Sequence, residues 1–342
     1  MNVAQHPQTE GHGKALSHVM VASQSAVQQA RLRRLLDSVA PDARLTIARS
    51  LTETYDRAEH DRPDCVLMCA RLADDPGFAV LSSLFRMMQI GCVMLGGAAP
   101  IAGQFARITE DPDAEALRSA LKQAHRPAGR TAAVAPPAAM DQREDLRFEP
   151  ARLILIGSST GGIDALLRIV GQFPANCPPT LIVQHTGEGF ACSLIRLLNN
   201  GSPAKVEAAR DGVSPQAGHI YLAPESTCHL QLAGRDVPRL HLSESAPVSG
   251  HRPSVDALFQ SATPFARQVT AAILTGMGRD GAAGLLALRQ AGAHTIGQDR
   301  ATSTVYGMPR AAKEIGAVIE ELPLERIAGA LLRASTKRPQ IQ

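Results

Sequence analysis

The sequence predicts an α/β protein made of two doubly wound parallel-sheet domains, and three observations carry that prediction. Short apolar runs alternate with helix-period stretches along both halves of the chain, the pattern of strands joined by helical crossovers. The runs are near-continuous in Val, Ile, Leu, Met and Cys rather than alternating, as in strands buried on both faces. A Pro/Ala-rich stretch separates the halves, and 342 residues is about twice a typical domain.

Residues 1–17 are polar, lack the apolar core of a secretory signal and are expected to be disordered. Apolar runs then follow at His18–Ala22, Leu45–Ala48, Cys65–Cys69 and Cys92–Leu95, with a weak one at Phe105–Thr109. Between the first two, Val27, Leu32, Leu35, Leu36 and Val39 approximate one helix face over Val27–Val39. Five such units predict a flavodoxin-like (βα)5 domain over residues 18–126. Residues 127–150, PAGRTAAVAPPAAMDQREDLRFEP, have no helix or strand period and read as a semi-extended linker.

The second domain, residues 151–335, opens on Leu153–Gly157 (LILIG), a strand entering a Gly-rich turn. Ile163, Leu166, Leu167 and Val170 then mark one face of a helix. Strands follow at Leu181–Gln184, Ile220–Ala223 and Val269–Thr275, with helices over Phe190–Leu198, Ser254–Ser261 and Ala282–Ala291. Residues 336–342 read as a tail.

Composition narrows the function classes. The chain is 44% hydrophobic and 20% charged, which excludes wholesale disorder. No apolar run reaches the roughly 18–20 residues a membrane-spanning helix needs, so membrane insertion is not expected. Residues 151–342 carry 18 basic against 14 acidic side chains, a balance too mild for nucleic-acid binding but suited to an acidic protein partner. The six cysteines form no C-x-x-C pair, and five lie in apolar or small-residue stretches; buried free thiols and a cytoplasmic location are the expectation. The histidines show no zinc-type pairing, so no metal is expected.

In doubly wound folds, ligands bind outside the carboxyl ends of the strands. Three predicted strands end in chemistry-bearing sequence. The first runs into Gly157-Ser158-Ser159-Thr160-Gly161-Gly162, formally G-x-S-x-G centred on Ser159. Its glycines suit a sharp turn that thrusts a serine outward ahead of a helix N-terminus able to hold an oxyanion. The same geometry also serves a phosphate-binding turn, and this motif alone leaves both readings open. The second strand ends at His185, where a general base or an ordinary satisfied histidine would stand. The third ends in Thr275-Gly276-Met277-Gly278-Arg279-Asp280-Gly281-Ala282, where Asp280 is either a helix cap or the carboxylate that orients an imidazole. A serine needs such partners, because its hydroxyl is a weak nucleophile at its ordinary pKa. The order Ser, His, Asp differs from the Ser, Asp, His of α/β-hydrolases.

The stretches IGSSTGG (156–162), VQHTGEGF (183–190), HIYLAPE (219–225), HRPSVDALF (251–259), ILTGMGRDGA (273–282) and VYGMPRAA (305–312) resemble the catalytic domain of bacterial chemotaxis protein-glutamate methylesterases of the CheB type. The resemblance covers essentially all of residues 151–333. It implies a serine hydrolase that cleaves glutamate γ-methyl esters on methyl-accepting chemoreceptor proteins, releasing methanol, with deamidation of receptor glutamines in many members. Ser159 would be the nucleophile, His185 the base and Asp280 its partner, with backbone N–H groups near Thr160 and Met277 as oxyanion donors and no cofactor. Arg252 would line the substrate cleft or stand as a solvated rim residue.

The resemblance also implies an N-terminal receiver domain, whose acidic pocket binds magnesium and accepts phosphate. Here Cys69 stands at the expected phospho-acceptor position and Ala22 and Ser23 at the metal-binding one. Gly96 replaces the usual Ser/Thr, and Asp111-Pro112 the usual Lys-Pro. Magnesium needs clustered carboxylate oxygens. The expectation is a pseudo-receiver with no phospho-acceptor, a docking or control module that meets a chemosensory histidine kinase or scaffold. The sequence leaves three rivals: a catalytically silent adaptor homologue, a phosphate- or nucleotide-binding protein, and a generic soluble esterase. The nucleotide reading is weakened because GSSTGG fits neither G-x-x-x-x-G-K-[ST] nor G-x-G-x-x-G.

Overall fold

The structure, a computed structural model, describes residues 16–75, 77–97, 105–125, 148–149, 151–186, 190–224 and 227–336. They fall into two compact units, one spanning Met1–Asp74 and Leu84–Thr131, the other Asp75–Ser83 and Ala132–Gln342. The expected disordered segment 1–17, linker 127–150 and tail 336–342 lie almost wholly outside the described residues. Phe148 is an exception, pairing as an isolated bridge with Thr336.

The first half of the chain contains β1 (His18–Ala22), α1 (Ala26–Val39), β2 (Arg44–Ala48), α2 (Leu51–Asp61), β3 (Cys65–Cys69), α3 (Ala70–Ala73), α4 (Phe78–Met88), β4 (Gly91–Leu95), β5 (Ala106–Ile108) and α5 (Ala114–His125). The strands form one parallel sheet in the order β2-β1-β3-β4-β5, the flavodoxin-like order that the alternation predicts. Every residue of β1 and β3 is buried, which is why their sequences are continuously apolar. One expected core position is corrected. Val27 is 81% exposed, and the inward face of α1 is instead Gln29, Leu32 and Leu36. Gln29 can be buried because its Nε2 donates to the Ser23 carbonyl at 2.6 Å.

The second half contains β6 (Leu153–Ser158), α6 (Gly162–Val170), β7 (Thr180–Gln184), α7 (Ala191–Asn200), β8 (Lys205–Ala208), β9 (His219–Leu222), β10 (His229–Ala233), β11 (Arg239–Ser243), α8 (Val255–Ser261), β12 (Val269–Ile273), α9 (Ala282–Gln290), β13 (His294–Gln298), α10 (Met308–Glu314), β14 (Glu320–Leu322) and α11 (Leu324–Ala334). Seven strands form a parallel sheet in the order β14-β13-β12-β6-β7-β9-β8. From β6 the chain first builds outward through β7, then returns to add β12, β13 and β14 on the other side. The strand order therefore reverses between β6 and β12, and their carboxyl ends flank the crevice where doubly wound proteins bind ligands. The antiparallel hairpin β10–β11 stands apart from this sheet and contributes Leu230, Leu232 and Leu240 to the core. No described helix is long and apolar enough to cross a membrane.

Candidate active site

The Ser159 turn leaves the carboxyl end of β6 and is held by its neighbours on both sides. The Ser159 N–H donates to the Thr275 carbonyl beyond β12 at 3.0 Å. The Thr275 hydroxyl donates to the Thr160 carbonyl at 2.9 Å. On the β7 side, the buried Gln184 amide is bonded at both its oxygen and its nitrogen. Its Oε1 accepts from Ser158 Oγ at 2.7 Å, while Nε2 donates to the carbonyls of Ser159 at 2.9 Å and His185 at 2.8 Å. One side chain thus ties the serine turn to the histidine turn. Two glycines make this approach possible. A Cβ on Gly162 would lie 2.1 Å from Gln184 Oε1, and one on Gly276 would lie 2.7 Å from Ser159 Cβ and 2.3 Å from Met308 Sδ.

His185 follows β7 directly, its N–H donating to the Ser158 carbonyl at 3.1 Å. Its Nε2 meets Asp280 Oδ2 at 2.9 Å, so an uncharged His185 carries its proton on Nε2 and offers the lone pair of Nδ1. Nδ1 is buried and has no hydrogen-bond partner among the described residues. The ring of His251 lies flat against that of His185, with centroids 3.9 Å apart and planes inclined by 11°. Burial lowers the pKa of His251, the His185 charge lowers it further, and Asp280 opposes both.

Asp280 is 1% exposed yet fully satisfied. Besides His185 it accepts from Ser254 Oγ at 2.7 Å, Val255 N at 2.7 Å and Asp256 N at 3.0 Å. Burial alone would raise its pKa, but these hydrogen bonds, led by that from His185, outweigh it and hold the carboxyl below its ordinary value. Sequence offered a helix cap or an imidazole partner for Asp280. The carboxylate does both, and the helix it caps is α8 rather than α9, which it precedes; Gly281 stands at the N-cap of α9. Asp256 completes the arrangement, accepting from Gly284 N at 2.7 Å and Ser249 Oγ at 2.9 Å.

Of the residues singled out from sequence, His185 and Asp280 are in direct contact. Ser159 is tied to the His185 turn through Gln184, and its Oγ makes no hydrogen bond among the described residues. The backbone N–H groups of Thr160 and Met277 likewise have no acceptor among the described residues, and the Met277 side chain is 71% exposed. Arg252 is half-buried and donates to the Ser245 carbonyl at 3.4 Å. Within HRPSVD, then, the His251 ring, the Ser254 hydroxyl and the backbone N–H groups of Val255 and Asp256 form the contacts around His185 and Asp280. The sequence carries no sign of these contacts, because a stack and a cap in trans leave no spacing pattern.

In the first unit, Cys69 ends β3 and is buried, and Ala22 and Ser23 are buried at the end of β1. Ser23 Oγ donates to Gln28 Oε1 at 2.6 Å. Gly96 follows β4 in the left-handed region (φ 78°), and Asp111 pairs with Arg31. Among the described residues, no group of three or more His, Cys, Asp or Glu is placed to hold a metal ion.

A parallel sheet with a serine turn, an imidazole and a buried carboxylate at its switch point defines a doubly wound α/β protein with a candidate site at the carboxyl rim. A family profile described as CheB methylesterase matches residues 154–331. The chain is 44% identical over 282 residues to the protein-glutamate methylesterase/protein-glutamine glutaminase of Agrobacterium fabrum, covering 82% of this chain and 78% of that one. It is 40% identical over 296 residues to protein-glutamate methylesterase/protein-glutamine glutaminase 1 of Caulobacter vibrioides, covering 81% and 86%. Among solved structures, the Thermotoga maritima CheB methylesterase catalytic domain is 34% identical with a TM-score of 0.51, covering 53% of this chain and 97% of that one. The chain belongs to the CheB methylesterase family.

Proposed function

We propose that this protein is a serine hydrolase that cleaves glutamate γ-methyl esters on bacterial chemoreceptors, releasing methanol, and that it also deamidates receptor glutamines. The observation that carries the reading is the 2.9 Å bond between His185 and the buried Asp280, beside a serine turn locked to the same loop. In this scheme Ser159 Oγ attacks the ester carbonyl and passes its proton to His185 Nδ1. The imidazolium so formed is stabilised by Asp280 through Nε2–H. The N–H groups of Thr160 and Met277 hold the oxyanion. Collapse expels methoxide, which takes the proton from His185 and leaves as methanol. Water then hydrolyses the acyl-serine by the same proton path. An amide substrate follows the same steps with ammonia as leaving group. No cofactor is required.

Residues 151–335 carry this chemistry, and residues 18–126 form a receiver-like module that docks or controls without taking up phosphate. Support for that lies in Cys69, Ala22 and Ser23, which bring no carboxylate oxygen to the ends of β3 and β1. The setting is the cytoplasm, where a chemosensory kinase or scaffold meets the first domain. Methanol release from methylated receptor membranes tests the proposal: the full chain releases methanol and the Ser159→Ala chain does not. Equal release by the two would overturn it.

A further inference from the structure

We propose that His251 is a positioning residue for the reaction, a neutral ring stacked on His185 that favours the imidazolium formed when Ser159 gives up its proton. The inference rests on the reading of His185 as general base and adds a partner for the face of its ring. Two neutral aromatic rings prefer offset or edge-to-face packing over close parallel overlap. The 3.9 Å, 11° stack is therefore poorly matched to a neutral imidazole pair and well matched to a cation over a neutral π face. An interaction that strengthens as charge develops lowers the barrier, whereas one equally strong in the ground state does not.

The mount of His251 fits this role. Val248 and His251 exchange both backbone hydrogen bonds, at 3.0 and 2.9 Å, across a two-residue turn. Ser249 (φ 53°) and Gly250 (φ 81°) are both left-handed, as the tight turns that match strand twist require. Ser249 Oγ is anchored to Asp256 at 2.9 Å. His251 is thus held from the same α8 N-terminus that holds Asp280. The titratable groups acting on it are His185 and Asp280; its partial burial and the His185 charge disfavour its protonated form, and Asp280 opposes both.

The test is the second-order rate at which a small fluorophosphonate labels the full chain, measured against pH for wild type, His251→Leu, His251→Phe and Ser159→Ala. Leucine keeps the ring covered without a π face. It is expected to lower the plateau rate by about tenfold and to move the acid limb to lower pH, because a less favoured imidazolium means a weaker base. Phenylalanine restores the π face and is expected to label within about threefold of wild type. Should leucine prevent folding, His251→Gln replaces it with the same expectation. Leucine and wild-type chains that label alike, or a phenylalanine chain as slow as leucine, would overturn the proposal while Ser159→Ala stays silent. Labelling that survives Ser159→Ala would instead remove the reading beneath it.

Discussion

Asp256 and Asp280 exchange helix caps. Asp280, two residues ahead of α9, accepts from the first N–H groups of α8, and Asp256, in the first turn of α8, accepts from Gly284 in α9. The two helices pack so closely that a Cβ on Gly284 would lie 2.7 Å from Phe259 Cβ. The carboxylate bonded to His185 is therefore also a structural joint, and on the proposed reading of the site activity and stability are coupled there.

Replacement of Asp280 separates the two roles. Asp280→Asn keeps an acceptor for the cap but misorients the imidazole, and a loss on the order of 10⁴ in kcat is expected, as in other amidated triads. Asp280→Ala removes the cap as well and leaves Val255 N, Asp256 N and Ser254 Oγ unpaired, at a cost of roughly 2–4 kcal/mol in denaturant unfolding. Stability losses of equal size in the two variants would show that the cap is not what Asp280 supplies.

The paired carboxylates respond oppositely to pH. Asp280 is held below its ordinary value, so its contribution to stability is full above the unfolded-chain value, about 4, and is lost as pH falls through the folded value. Asp256 is raised, by burial first and with the Asp280 charge adding to it, so its ionised form is disfavoured by folding at neutral pH. Asp256→Asn, which can still accept from Gly284 and donate to Ser249, is expected to be no less stable than wild type at pH 7. At the same pH Asp280→Asn should lose at least about 1 kcal/mol. Chemical unfolding at pH 7 and pH 4 reads both signs.

Gln184 acts at a distance from bond-making. In Gln184→Ala, Ser158 Oγ and the Ser159 and His185 carbonyls lose their shared partner, and a displacement of the serine turn by about 1 Å costs on the order of 100-fold in rate. Gly276→Ala should disable the same turn from the other side, since the new methyl group meets both Ser159 and Met308. A fully active Gly276→Ala enzyme would show that the turn yields without consequence.

The cysteines give a chemical footprint of the fold. Burial pushes the thiols of Cys65 and Cys177 up to about 12 and that of Cys92 well above its ordinary value. Cys192 is the exposed one of the six. A maleimide added to the native chain should modify a single thiol quickly, and Cys192→Ser should abolish that phase.

Strands were legible wherever burial on both faces made the sequence continuously apolar: LILIG, LIVQ, CVLMC and VTAAI all lie within a residue or two of their expected bounds. β8 (KVEA) and β14 (EEL) lie at the two edges of the seven-stranded sheet, where exposure admits charge and hides the strand. The hairpin β10–β11 is hidden for another reason: HLQLA and RLHLS alternate, and an alternating pair stands out poorly among continuous apolar runs. In α11, Leu324, Ile327, Ala328, Leu331 and Leu332 do follow a helical period, so the signal was present. At the candidate site, strand-end position draws attention to Ser159, His185 and Asp280, and the structure sets His185 against Asp280 at 2.9 Å. The partners of those residues carry no such sign, because His251, Ser254 and Gln184 act through distances between turns that are remote in the chain.

The all-parallel sheet sends every crossover helix back to the opposite rim before the next strand begins. Turns on that far edge, such as residues 291–293 between α9 and β13, reverse the chain away from the candidate site. Extra residues spliced in there would enlarge the protein while leaving its chemistry where it stands, so variation in length should accumulate at that edge.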